Sequence, residues 1–184
     1  MSKLTETYVA LGSNLGNRWR NIQQALEICS EQMTVERVSN VYETVPVYNK
    51  DQPLFLNAVA LCATGLTPRE LLRFVQSIED YMGRVPGPKN SPRSLDVDVL
   101  YYGDLVIDED DFIVPHPGIP ERSFVLVPLV EIAPNVAHPV SGKTSAQMLD
   151  EVVSQKDVVM HEAGEAYWAG FKRGRHPVPL KDPG

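Results

Sequence analysis

The chain of 184 residues fits one domain, since domains run to roughly 100–200 residues. Hydrophobic residues at 43% suffice for a core, and the formal net charge of −7 argues against a general nucleic-acid binder, whose phosphate contacts need a basic surface. A small phosphorylated ligand remains compatible with that charge, because a few local arginines or metal ions override it.

In chain order, Met1–Thr7 carries no signal-peptide apolar segment. Residues 7–11 read as a strand, closed by the polar turn Gly12-Ser13-Asn14-Leu15-Gly16-Asn17. Trp19, Ile22, Leu26, Cys29 and Met33 recur at steps of three and four, which is one apolar helical stripe. Val35, Val38, Val41, Val45 and Val47 predict a long, irregular strand over 34–48, and Tyr48–Pro53 a loop. The third strand spans Leu54 to Ala63. Cys62 on it and Cys29 on the helix read as reduced core thiols, which places the protein in the cytoplasm.

Thr67-Pro68-Arg69-Glu70 predicts a helix start, with Thr67 as N-cap, Pro68 at the first helical position and Glu70 closing a capping box. That helix buries Leu71, Leu72, Val75, Ile78 and Met82, and Gly83 stops it. Residues 84–94, rich in proline, form a loop, and Leu95 to Tyr102 is strand four. The order βαββαβ predicts an α+β, ferredoxin-like antiparallel sheet with its helices on one face. Beyond it come a hairpin at Val106-Ile107 and Ile113-Val114, a helix over 121–132 and another over 145–153. Residues 1–156 make one domain, and 157–184 a tail or strap over the surface. No apolar run approaches the roughly 20 residues that span a bilayer, so no membrane partner is expected.

The most informative stretch is Pro92-Arg93-Ser94-Leu95-Asp96-Val97-Asp98-Val99. Side chains alternate along a strand, so Asp96 and Asp98 share one face while Leu95, Val97 and Val99 enter the helical layer. Two carboxylates that close repel, and a hard dication such as Mg²⁺ relieves the repulsion while taking water and phosphate oxygens as its remaining ligands. An amphipathic strand with a solvated polar face gives the same pattern. Arg93, beside a loop bearing Arg84 and Lys89, tips the balance toward a metal-bridged polyphosphate.

Two phosphate motifs fail. The turn at Gly12–Asn17 lacks the Gly-Lys-Ser/Thr ending of a P-loop, although its backbone N–H groups can still face an anion. Ser141-Gly142-Lys143-Thr144 has Ala137 where the first glycine is required, and reads as a turn feeding an N-cap at Thr144 or Ser145.

Tyr8–Gly16, Leu56-Asn57-Ala58, Pro92–Asp98 and Val114-Pro115-His116-Pro117 together resemble the 6-hydroxymethyl-7,8-dihydropterin pyrophosphokinases of folate biosynthesis. The likeness covers about residues 7–153, and Pro-Arg-x-x-Asp-x-Asp is its most specific part. It implies transfer of pyrophosphate from ATP to the pterin hydroxymethyl group, with AMP leaving and two Mg²⁺ ions on Asp96 and Asp98. It further implies Arg84 and Arg93 as catalytic loop arginines, and Gln76, Glu79, Val99, Ile113, His116 and Arg122 around ATP. Phe55 and Phe124 would sandwich the pterin beside Asn57, Gly12 and Asp96, with Thr44, Val45, Pro46 and Val47 completing the pocket. The chain departs from the family at Ser91 and at Pro86-Gly87-Pro88.

Without the resemblance, Phe55 and Phe124 read as core residues, Glu79 as a solvated helix position and His116 as a turn residue. Asn57 is different, because an amide inside an apolar strand needs partners. Two competing readings are a phosphohydrolase or nucleotidyl transferase using the same aspartates, and an RNA-binding sheet. The acidic charge and the lack of a basic, aromatic-studded strand weaken the second. A monomer or weak homodimer acting on small molecules is expected.

Overall fold

The computed structural model of the protein describes residues 4–47, 50–85, 87–88, 91–152 and 157–161. Strand β1 (Thr5–Ser13) leads into helix α1 (Arg18–Gln32), whose first turn is capped by the Asn17 side chain accepting from the Arg20 amide at 3.0 Å. The predicted stripe on α1 faces inward, with Ile22, Ala25, Leu26 and Cys29 fully buried. Helix α2 (Pro68–Tyr81) follows its sequence signature, with Thr67 and Glu70 forming the reciprocal capping box. A second box, Thr144 with Gln147, opens α4 (Ser145–Glu151), which makes Ser141–Thr144 a helix entry and not a phosphate loop.

The single strand expected over 34–48 is instead two, β2 (Thr34–Val38) and β3 (Tyr42–Thr44). Both pair antiparallel with β4 (Phe55–Thr64), but the pairing lapses over residues 39–41. There Ser39 exchanges bonds with Val59, its amide donating to the Val59 carbonyl and its hydroxyl accepting from the Val59 amide, both at 2.9 Å. β3 then ends at Thr44, so Val45, Pro46 and Val47 lie beyond the sheet, where they line a cavity.

Strand β5 (Asp96–Tyr102) flanks β1 on the other side, and the sheet order is β5–β1–β4–β3–β8. The last strand, β8 (Val158–Met160), pairs with β3. Three residues expected in a surface strap thus extend the sheet, whereas Tyr167, Trp168 and Phe171 lie outside the described residues. The βαββαβ order, with every neighbour antiparallel, is the ferredoxin-like arrangement anticipated from the sequence.

The two faces of the sheet are covered differently. One face, carrying Val9, Leu11, Ala58, Val97 and Val99, is packed along its length by α1 and α2. The other carries Tyr8, Val59, Leu61 and Tyr101 under α3 (Ser123–Ile132) and α4. At β5 the register slips between Tyr8 and Val9, so Leu100 and Tyr101 both enter this second cluster while Tyr102 turns back to the first. Helices α3 and α4 cover only one end of the second face. At its other end Asp96, Gly12 and Asn57 stand in one cross-strand row, since Gly12 pairs with both neighbours. A short hairpin, β6 (Ile107–Glu109) and β7 (Phe112–Val114), projects beside β5.

Candidate active site

The uncovered end of the sheet opens into a cavity of about 440 Å³. Its floor is the row Asp96, Gly12, Asn57, and a side chain at Gly12 would approach its neighbour closely. A Cβ on Gly12 would sit 3.1 Å from the Asn57 Oδ1, with Phe55 and Asp96 next nearest. Asn57 is buried, and its amide donates to the Thr44 hydroxyl at 2.6 Å, which supplies the partner an amide on that strand needs. Phe55 and Phe124 line the cavity, as do Thr44, Val45, Pro46 and Val47. Phe124 lies in the first turn of α3, partly buried against the second cluster.

Each ring carries a cation. The Arg93 guanidinium lies 5.7 Å from the Phe55 ring centre and that of Arg122 lies 5.8 Å from Phe124. This pairing is invisible in the sequence, where the partners are 38 residues apart (93 − 55) in one case.

A second cavity, of about 370 Å³, lies on the opposite side of the aspartate pair. Gln76 and Glu79 from α2, Val99 from β5, and Ile113 from the hairpin line it. Arg84, Asp96, Asp98 and His116 line both cavities. All of the residues tied by the resemblance to ATP, the pterin or magnesium therefore fall on one cavity or the other, with Arg93 and Arg122 on the first only, whereas Lys89 lies outside the described residues. Sequence reasoning missed Leu72, Asp110, Asp111 and Phe112 in the second cavity. The acidic turn Asp110-Asp111 was legible as a hairpin tip, but nothing local ties it to a site on α2 and β5.

The electrostatics are dense. Arg84 pairs with Glu79 and donates to Asp96 at 3.2 Å, while the Arg93 Nε lies 3.4 Å from the other Asp96 oxygen. Asp98 feels Arg122, Arg93 and Arg84 only as charges that partly hold its carboxyl down. Withdrawal from solvent first, and the Asp96 charge second, push its carboxyl up to about 6. Glu79 is no solvated helix position: it is buried and accepts from the Val97 amide at 2.8 Å. Burial pushes it up to about 7, against the pull of that amide and of Arg84.

His116 is held down from its ordinary value, chiefly by burial and then by the Arg122 charge. Its Nδ1 accepts from the Gly118 amide at 3.0 Å, so the neutral ring carries its proton on Nε2, 3.9 Å from Asp98. That tautomer follows from the hydrogen bond, and it presents a donor to the space between the cavities.

Among known proteins, a model of the 7,8-dihydro-6-hydroxymethylpterin-pyrophosphokinase (HPPK) family matches residues 8–134. This chain belongs to the HPPK family. The match contains every residue assigned above, from Gly12 to Phe124. The 2-amino-4-hydroxy-6-hydroxymethyldihydropteridine pyrophosphokinase of Bacillus subtilis is 40% identical over 83% of this chain and 92% of its own length. The folic acid synthesis protein FOL1 of Dictyostelium discoideum is 42% identical over 77% of this chain, but this chain spans 22% of that longer protein. Wild-type HPPK-DHPS of Plasmodium falciparum superposes with a TM-score of 0.68 at 16% identity, over 88% of this chain and 48% of that one, which shows a shared fold.

Proposed function

We propose that this member of the HPPK family transfers pyrophosphate from ATP to the hydroxymethyl group of 6-hydroxymethyl-7,8-dihydropterin, giving AMP and the pterin diphosphate. The observation that carries this reading is the meeting of two cavities at one carboxylate pair. One is walled by aromatic rings and an oriented amide; the other opens beside buried Glu79 and the arginine of the 84–94 loop. The Bacillus subtilis relative, a pyrophosphokinase matched over 92% of its length, supports it.

In this reading the flat pterin stacks between Phe55 and Phe124. Asn57, fixed by Thr44, offers its Oδ1 to the donor edge of the ring, and Gly12 leaves room for that edge. The hydroxymethyl group then faces Asp96 and Asp98. ATP occupies the second cavity, so its β-phosphorus can be attacked in line, with the bond to the departing AMP oxygen breaking as the new ester forms. Arg84 and Arg93 exchange their carboxylate partners for phosphate oxygens, and His116 donates from Nε2.

The donor set fits magnesium. Among the described residues no three acidic, histidine or cysteine side chains gather as a closed metal cage. Two neighbouring carboxylates, one of them pushed up by burial first and by its neighbour's charge second, suit an ion that takes few protein ligands and completes its shell with water and phosphate. Magnesium held by Asp96 and Asp98 would supply charge neutralisation at the phosphates. Among the described residues no helix is long and apolar enough to cross a membrane. We place the protein in the cytoplasm on its two buried, unpaired cysteines.

The test is nucleotide turnover with and without the pterin, read by product. AMP should accumulate only when 6-hydroxymethyl-7,8-dihydropterin is present. Pterin-independent release of ADP or phosphate would replace this reading with a phosphohydrolase.

A further inference from the structure

The second cavity has one wall on α2 and another on the β6–β7 hairpin, and above the shared core the side chain of Arg69 bridges the two. Arg69, on the first turn of α2, reaches the hairpin with both ends of its guanidinium. Its Nη2 pairs with Glu109, and its Nη1 donates to Asp111 at 2.7 Å. The guanidinium carbon also lies 5.9 Å from the ring centre of Phe112. One planar cation thus engages β6, the turn and β7 together, which a lysine's single ammonium cannot reproduce. The Asp111 carboxyl is held below its usual range, first by the Arg69 hydrogen bond.

What Arg69 holds is the cavity wall. Asp110, Asp111, Phe112 and Ile113 all line the second cavity, facing Leu72 and Gln76, which follow Arg69 on α2. The hairpin has three residues per strand; Phe112 and Val114 root its second strand in the core, which leaves exposed Glu109 and the turn at Asp111 to be held by Arg69. Its tip is also acidic, which is a poor neighbour for a polyphosphate unless those carboxylates are held and offset.

We infer that Arg69 is a positioning residue for the nucleotide: it clamps the β6–β7 hairpin to α2 and so sets the shape and charge of the nucleotide-side wall without contacting the reacting atoms. This rests on the pyrophosphokinase reading for which ligand occupies the second cavity. The pterin cavity shares no hairpin residue, so its affinity should be independent of Arg69.

The experiment uses the full chain and the variants Arg69→Ala and Arg69→Lys, with steady-state kinetics and titration of a non-hydrolysable ATP analogue with Mg²⁺. For Arg69→Ala the KM for ATP and the Kd for the analogue should rise roughly five- to tenfold, while kcat and the pterin KM stay within about twofold. Arg69→Lys should fall between, because it retains the charge and loses the fork. It also carries the test if the alanine variant folds poorly. Unchanged nucleotide KM and Kd in both variants would overturn the inference. So would an equal loss for pterin and nucleotide, which indicates a general structural role. If the wild-type chain forms no AMP, the functional reading falls, and the analogue titration still decides the role of Arg69. Absence of analogue binding by the wild type overturns both.

Discussion

The two cavities that meet at Asp96 and Asp98 are built from different materials. The first has a floor of paired strands, where Asp96, Gly12 and Asn57 are locked in register by the β5–β1–β4 ladders. The second has walls on a helix and on a short hairpin, joined at the outer end by the ion pairs of Arg69. A strand ladder fixes side chains without help from long flexible groups, which suits recognition of a rigid flat ring. A wall held by charge suits a flexible, charged ligand. The aspartates belong to both, because their strand runs between the two.

Mutations can break or sharpen this division. The largest effect should come from the shared element. Asp98→Ala should lower kcat by about three orders of magnitude, or about 4 kcal/mol, while pterin affinity changes less than about threefold. Near-normal turnover in saturating Mg²⁺ would remove Asp98 from the chemistry. On the pterin side, Phe124→Ala should weaken pterin binding roughly thirtyfold, about 2 kcal/mol, and leave binding of the ATP analogue unchanged. A matching loss of nucleotide affinity would erase the boundary between the cavities. The smallest effect belongs to Gly12→Ala, whose new methyl group would crowd the Asn57 Oδ1 at 3.1 Å. Pterin affinity should fall by roughly tenfold or less, measured by calorimetric titration, with the nucleotide again unaffected. Unaltered pterin affinity would place the ring away from that floor.

Legibility in the sequence followed distance along the chain. The start of α2 was readable because its capping box closes within four residues, Thr67 to Glu70. The shared face of Asp96 and Asp98 was readable because alternation is a property of a single strand. The assignment of Phe55, Phe124, Arg122 and His116 came through family resemblance, since no local pattern distinguishes these residues from core or turn positions. The split of 34–48 into β2 and β3 was not readable, because the interruption depends on Ser39 bonding to Val59, 20 residues away. Neither was β8, whose apolar residues find an edge at β3 more than a hundred positions earlier.

By itself the sequence determined the helices, the strand carrying the acidic pair and the βαββαβ order up to that strand, all of which rest on periodicity and short-range hydrogen bonding. Tertiary structure alone decided that α3 and α4 cover one end of the sheet and leave the other open, that Arg93 lies over Phe55, and that Arg69 holds the hairpin. Those are contacts between residues far apart in the chain. Their energies depend on which surfaces meet once the core has closed, and no local stretch of sequence records that.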